Sequence, residues 1–481
     1  MSESDDEIVS SLSETPADIS PTHAKLLKIR ERKDLEARPS SYMRESFTGF
    51  DGNEHPLKLR YYQVQGVMHL LACTRFLLGD DTGLGKCVKL DTLIQTDQGL
   101  VRIGELGPWQ TMAPDTFTPM ATPTKVWTGW EWAPIKHFYF GGVKPTRTIT
   151  TRRGYEITGT YVHPLWSRRG DGTEGFVQTR ELKVGDFLSL EREQESFPAV
   201  EPTLPVTESN PHQNTIHYTL PVALSPDLSA FLAYVVAEGN RARGAVSITQ
   251  DKNLNPETHD HIRQLAKTLF GWDGNHGCAN RDTRIIISSV QIQSYLEGLG
   301  VAPVLSAQKS VPWPIFRGTR ESVAAFLRAF FDSEGSVGGG VVEVSSASEQ
   351  MLREVQVLLL RFGVVCTRSP KKVKGYDQPY WRLALCGNDL RAFKEHIGFL
   401  TPRKQQTLEE DASKDSNTNL DVVPHARGVV ESLRSDILKA VSVRGSNGSR
   451  KGSGLKKFGV SFEKTLNGIR NAGRNPTFNF L

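Results

Sequence analysis

An apolar stretch that ends in Glu-Gly occurs twice, and this repeat constrains the chain more than any other feature. Phe231-Leu232-Ala233-Tyr234-Val235-Val236-Ala237-Glu238-Gly239 lines up with Phe326-Leu327-Arg328-Ala329-Phe330-Phe331-Asp332-Ser333-Glu334-Gly335. Glu238 and Glu334 stand 96 positions apart, as do Ala233 and Ala329. After each copy come strand-like residues (Ala245-Val246-Ser247-Ile248; Val341-Val342-Glu343-Val344) and a helical stretch, about 257–270 and about 349–362. A second strand pair and a further helix, the last at about 388–397, are expected to close each copy. Two αββαββα units in tandem predict one pseudo-symmetric α+β domain over 227–405. If the two helices pack along a pseudo-two-fold axis, the small Ala233 and Ala329 let the backbones approach, and the glycines let the chain turn sharply. Glu238 and Glu334 then end side by side. Two carboxylates that close repel each other unless a divalent cation lies between them, and hard oxygen ligands suit Mg²⁺ bridging to phosphate oxygens. That chemistry is phosphodiester hydrolysis. Lys309, in Lys309-Ser310-Val311-Pro312, and Lys404, in Pro402-Arg403-Lys404-Gln405, follow the two acids in roughly corresponding positions. They suit the positioning of water or the stabilisation of transition-state charge. The alternative on the same residues is a tandem domain whose glutamates only end helices and whose lysines are solvated.

The rest of the chain is organised around this domain. Its 481 residues suggest roughly three domains. Residues 1–50 form an acid-rich N-terminus, read as disordered over about its first 40 residues, with six acids and no Lys or Arg in the first 20. Residues 434–481 carry ten Lys or Arg against two acids, so the overall charge of +4 hides an acidic head and a basic end. The total therefore says nothing about nucleic-acid binding. No apolar run approaches the roughly 20 residues that cross a bilayer, and the acidic start is unlike a targeting segment. The five cysteines are scattered, with no Cys-x-x-Cys pair, which fits a reducing compartment and no zinc site. A cytoplasmic protein, nucleoid-associated at most and not secreted, is expected, with no membrane partner.

Residues 51–86 read as a helical stretch after Gln65, a short strand Phe76-Leu77-Leu78, and then Gly79-Asp80-Asp81-Thr82-Gly83-Leu84-Gly85-Lys86. A strand entering such a glycine turn is the setting of a phosphate-binding loop, with Gly83, Gly85 and Lys86 as its nucleotide-binding residues. That loop needs Thr or Ser after the lysine and a helix starting there. Here Cys87 follows, and then an alternating, β-prone run. From Cys87 to about Leu190 the reading is all-β, broken by Gly-Pro and Gly-Gly turns. This defines a β-rich domain over 87–196, a Pro-rich linker over 197–226, the tandem domain, and a basic tail over 406–481.

Three resemblances follow from these residues. The two repeats resemble the paired motifs of LAGLIDADG homing endonucleases of the dodecapeptide type. The second copy matches at Leu327, Asp332 and Gly335, with Glu334 in place of the usual final Asp. The first copy rests on Ala237, Glu238 and Gly239. The resemblance implies strand ribbons that read double-stranded DNA in the major groove and Glu238 and Glu334 as ligands of Mg²⁺. The segment opening at Cys87 resembles the N-terminal part of an intein, a Hint-type all-β splicing domain, with Gly159-Thr160-Tyr161-Val162-His163-Pro164 similar to its Thr-x-x-His block. By that resemblance the Cys87 thiol attacks the carbonyl of Lys86 in an N–S acyl shift, His163 protonates the departing nitrogen and Thr160 orients the bond. Residues 57–86, with Leu59-Arg60-Tyr61-Tyr62-Gln63-Val64-Gln65-Gly66 and Asp80 to Lys86, resemble the start of a superfamily 2 helicase-like ATPase. ATP would then be bound only by the spliced host protein.

An intein of this type ends in His-Asn followed by Cys, Ser or Thr. This chain ends Asn475-Pro476-Thr477-Phe478-Asn479-Phe480-Leu481. The expectation is an incomplete splicing domain, its end either truncated or supplied by a second polypeptide, with Thr or Ser as the residue that restores the phosphate loop. The overall expectation is therefore a multi-domain chain in which a homing endonuclease is nested in an intein that interrupts a helicase host. The competing expectations are an autoprocessing protein alone, or an inactive DNA-binding remnant.

Overall fold

The computed structural model describes residues 46–48, 54–56 and 87–414, except 121, 130, 169–173, 193–196, 207–215, 241–243, 275–281, 302–303 and 374–378. The chain divides into two units, Met1–Leu84 and Gly85–Leu481. In the first, β1 (Ser46–Thr48) pairs antiparallel with β2 (Glu54–Pro56), Phe47 opposite His55. Regular structure therefore begins inside the segment expected to be an irregular N-terminus, because a backbone ladder needs no apolar pattern to form locally. The expected helix, strand and phosphate loop, with Gly83, Gly85 and Lys86, lie outside the described residues, as does the basic tail beyond residue 414.

The second unit opens with short antiparallel strands. β3 (Leu93–Thr96), β4 (Gly99–Arg102), β6 (Lys125–Trp127) and β7 (Trp132–Pro134) form a sheet in the order β4-β3-β6-β7, and β5 (Thr116–Pro119) pairs with β8 (His137–Phe140). The hairpin of β9 (Thr146–Thr150) and β10 (Glu156–Thr160) follows, then β11 (Pro164–Arg168) between β12 (Glu174–Gln178) and β13 (Phe187–Leu188). Among the described residues this module has no α-helix, only two 3-10 turns.

The tandem domain is built on two buried helices, α1 (Pro226–Glu238) and, after α2 (Pro256–Phe270), α3 (Val290–Gly298) and α4 (Trp313–Phe316), α5 (Arg320–Glu334). Ser225 caps α1 by accepting from Leu228 N, and Thr319 caps α5 by accepting from Ser322 N. The two helices pack along each other, with Ala233 and Ala329 almost wholly buried. Leu228 through Val236 are all buried in α1, because a helix that is apolar on every side belongs inside a core.

Each helix passes straight into a strand: α1 into β14 (Gly239–Asn240) and α5 into β17 (Gly335–Gly338). Gly239 and Gly335 have extended backbones with negative φ, so their need for glycine is one of space. A Cβ on Gly239 would lie 2.0 Å from Val235 O, and on Gly335 2.5 Å from Phe331 O. The second copy continues with β18 (Val341–Ser346), α6 (Glu349–Leu360), β19 (Thr367–Lys371), β20 (Tyr380–Cys386) and α7 (Asn388–His396). Its sheet runs β17-β18-β20-β19. Val342, Val344, Leu383 and Leu385 face the helices, while Glu343, Ser345, Arg382, Ser369 and Lys371 share the opposite face by register.

The first copy departs from the expected pattern. Its described strands are three, β14, β15 (Val246–Thr249) and β16 (Arg284–Ile287). The positions in register with β19 begin at Gly271, and both Gly271 and Gly274 take left-handed φ values of 71° and 77°, which break an extended strand. Residues 275–281 lie outside the described residues.

Two boundaries also move. The expected linker over 197–226 packs on the domain, with Leu204, Leu220 and Leu224 in the core. Its Glu201 carboxylate accepts from Thr319 N (3.2 Å), Thr319 Oγ1 (2.7 Å) and Ser322 Oγ (2.5 Å), closing the start of α5. At the other end α8 (Pro402–Ser413) crosses the expected limit at 405 and buries Leu408 and Ala412, because one apolar face of the helix continues past Lys404.

Candidate active sites

Glu238 and Glu334 are the last residues of α1 and α5, so the packing of these helices sets both carboxyls at the same end of the domain. Glu334 experiences Glu238, Lys309 and Lys404 together. Burial and then the Glu238 charge push its carboxyl up to about 7, against the pull of the two lysines. Glu238 is also pushed up, by burial, with Lys309 opposing. Burial lowers the Lys309 ammonium while Glu334 and Glu238 support it. Burial likewise lowers Lys404, with Asp332 and then Glu334 among the groups that oppose the fall.

The lysines are placed alike. Lys309 Nζ donates to Ala237 O (3.1 Å) and Gly239 O (3.2 Å). Lys404 Nζ donates to Asp332 O (2.6 Å) and Gly335 O (2.7 Å). Each ammonium therefore meets carbonyls at a helix C-terminus, where the partial negative charge of the helix favours a cation. Two neighbouring carboxyls, one of them pushed up by desolvation and then by the other's charge, form an oxygen donor set that fits a hard divalent cation. Among the described residues no third His, Cys, Asp or Glu joins them as a preformed cluster. The remaining coordination positions would fall to water, backbone carbonyls or substrate oxygens. The cavity beside Lys309, bordered by Gly239, Ser247 and Gln308, measures about 110 Å³, below the roughly 300 Å³ at which small-molecule sites begin.

A second constellation surrounds Cys87. Its backbone N donates to Thr160 Oγ1 (3.3 Å), and Thr160 N donates to Cys87 O (2.8 Å). His163 N donates to Thr160 O (2.9 Å). Gly159 lets these strands close: a Cβ there would lie 2.9 Å from His163 Cβ and 3.2 Å from Cys87 O. Two groups absent from the sequence reading, Tyr139 and Lys144, come near the thiol, and a third, Asp115, binds both. An added Cβ on Gly141 would lie 3.0 Å from Cys87 Sγ, 3.4 Å from Tyr139 Cε1 and 3.5 Å from Lys144 Cε, so all three meet at that glycine. Asp115 accepts from Lys144 Nζ (2.6 Å) and Tyr139 Oη (2.5 Å). Burial raises the Cys87 thiol, and Lys144 opposes this. Nothing in the sequence marks this group; in the structure Asp115 takes a left-handed φ of 58°, which Asp tolerates better than most residues.

Residues 321–398 match the family described as LAGLIDADG-like domain. That span covers α5 from its second residue through α7. Among curated proteins the chain is similar to a replication factor C small subunit of Methanocaldococcus jannaschii, 25% identical over 395 residues, which is 80% of this chain and 19% of that protein. It is similar to the glutamine–fructose-6-phosphate aminotransferase of the same organism, 26% identical over 218 residues, 43% of this chain and 20% of that one. The replicative DNA helicase DnaB of Rhodothermus marinus is 25% identical over 367 residues, 71% of this chain and 35% of that one. The chain spans between 19% and 42% of the length of the replication factor C subunits it matches first. Of solved structures, mesophilic variants of the homing endonuclease I-DmoI are 16% identical, with 38% of this chain and 98% of that chain covered and a TM-score of 0.30. The complex of I-DmoI with DNA and Mn is 16% identical, with 36% and 96% covered and a TM-score of 0.28. Among the described residues no helix is long and apolar enough to cross a membrane.

Proposed function

We propose that the tandem domain is a DNA-cleaving homing endonuclease dependent on a divalent cation, Mg²⁺, and that it is nested in an intein. The observation that carries this reading is the pairing of Glu238 and Glu334 at the ends of two packed helices, each beside a lysine bound to the carbonyls of its own helix end. A cation bound there would supply Lewis-acid stabilisation of the scissile phosphate. Glu238 and Glu334 would hold it, and Lys309 and Lys404 would favour the negative charge that builds on the phosphate oxygens. The polar face of the β17–β20 sheet, with Lys371, Arg382, Ser345 and Ser369, supplies donors suited to phosphates and base edges of duplex DNA. Glu334→Gln is expected to remove cleavage of the host gene that lacks the insert. Retained cleavage would overturn the assignment.

The β-rich module is read as the N-terminal splicing domain of that intein. Proteins as different as a replication factor, an aminotransferase and a helicase match this chain, the first over 80% of its length. A match of that extent reaches far beyond residues 1–86, so what they share is the inserted segment and not the activity each is named for. In the proposed step Cys87 Sγ attacks the carbonyl carbon of Lys86, the C–N bond breaks, and the freed nitrogen of Cys87 takes a proton with His163 as the donor. Thr160, already bonded to Cys87 N, orients that nitrogen. Incubating the full chain with a strong thiol is expected to release residues 1–86, and Cys87→Ala is expected to stop the release. An intact mass in both would remove the splicing reading. The host is read as a helicase-like ATPase that binds ATP only once spliced.

A further inference from the structure

The two lysines are held by different means. The Asp332 carboxylate accepts from Leu400 N (2.5 Å) and Thr401 N (3.1 Å), the residues that lead into α8 and Lys404. Near the other end of α8, Asp411 accepts from Gly340 N (2.8 Å) in the β17–β18 turn. These partners all belong to the second copy. The position 96 residues before Asp332 is Val236, which has no carboxylate to offer.

Lys309 is held through Glu354 of α6, whose side chain is only 2% exposed. One oxygen of Glu354 accepts from Val311 N (2.8 Å), and the other meets Arg102 of β4 (2.5 Å) and Gln350 Nε2 (2.8 Å). Ser348 Oγ donates to Lys309 O (2.6 Å). The Arg102 guanidinium also lies 5.7 Å from the centre of the Phe316 ring. Gly99, at the start of β4, passes so close that a Cβ there would lie 2.5 Å from Phe316 O, and Glu105 pairs with Arg317 (2.8 Å). The segment from Lys309 to Arg317 is thus gripped between α6 and the β-rich module.

We infer that Arg102 is a positioning residue for Lys309, so that the β-rich module sets the geometry of one half of the carboxylate site and leaves the other half to Asp332. The inference rests on the DNA-cleaving reading. A duplex presents two scissile strands, and each copy of the repeat supplies one carboxylate and one lysine, so each half is assigned one strand. Without Arg102 the buried Glu354 lacks its counter-ion, and the segment carrying Lys309 loses a fixed neighbour. Partners that orient a reacting group are worth roughly 10- to 100-fold.

The test is strand-resolved cleavage by the full chain of a supercoiled plasmid carrying the uninterrupted host coding sequence, with each strand end-labelled in a matching linear duplex. Arg102→Met is expected to slow one strand by at least about tenfold, so that nicked circles accumulate. Lys309→Met should slow the same strand and Lys404→Met the other. Arg102→Lys should restore the balance between strands. Glu354→Gln, which keeps the size of the buried group, should slow the strand that Arg102→Met slows. Equal slowing of both strands by Arg102→Met and Glu354→Gln, no slowing, or slowing of the Lys404 strand would overturn the inference. A wild-type chain that cuts neither strand would instead fail the endonuclease reading, and the inference would fall with it.

Discussion

At Glu334, burial and a second carboxylate compete with two ammonium groups, and the first pair wins, carrying the carboxyl from 4.5 to about 7. Between those values the folded chain keeps a proton that the unfolded chain has released. This group's contribution to stability is therefore complete below about pH 4.5 and lost as pH rises through 7. Glu334→Gln is accordingly expected to make the metal-free chain more stable at pH 8 and, if the proposed site holds Mg²⁺, to remove the stability that the ion would add to the parent. Urea unfolding at pH 5 and pH 8, with chelator and with Mg²⁺, checks both. Equal stability of variant and parent at pH 8 would show that the carboxylates do not strain each other. Glu238 and Glu334 could be read together because a repeat superposes them and a repeat implies shared geometry, while Lys309 and Lys404 follow only in roughly corresponding positions, 95 residues apart. Asp115, Tyr139 and Lys144 were not legible. They reach the Cys87 thiol only because β5 pairs with β8, Phe117 opposite Tyr139, and no local pattern links positions so far apart.

The elements of the second copy followed the sequence closely, since helix periods and strand alternation there agree with the burial they produce. The stretch read as a linker shows where such reading ends. Its prolines suggested a spacer, yet Glu201 closes the first turn of α5 with three hydrogen bonds. Nothing local distinguishes a capping glutamate more than a hundred residues away from a solvated one. Glu201→Ala leaves Thr319 and the buried Ser322 short of an acceptor at a half-buried helix start, and is expected to cost about 1 kcal/mol, read as a fall in the urea midpoint at unchanged slope. A change below a few tenths would mean that water replaces the carboxylate. Among the described residues of the first copy, the interruption at Gly271 and Gly274 has a clearer local cause, since their left-handed backbones halt extension.

Over the whole second unit, the β-rich module and the tandem domain are joined by buried and half-buried ion pairs. Arg368, 2% exposed, donates to Gly154 O and Glu156 (both 2.6 Å) and pairs with Glu349. Arg353 pairs with Glu156 (2.9 Å). The guanidinium of Arg368 also stacks over Trp381 at 5.4 Å. Removing one partner from such a network strands the other charges, at a cost of about 3–5 kcal/mol. Arg368→Met is therefore expected to separate a single calorimetric transition into two, and one unchanged transition would show that the joint contributes little. Changes of period and composition carry no trace of this joint, because its partners lie some 200 residues apart. The proposed function turns on metal-dependent cleavage by the paired glutamates. The measurement that reaches it most directly is digestion of a plasmid carrying the uninterrupted host coding sequence by the full chain at pH 8. Linear product with Mg²⁺, none with chelator, and none from the same plasmid with the insert's codons in place is the expected result. Cleavage that persists in chelator, or its absence from the Mg²⁺ reaction, would contradict it.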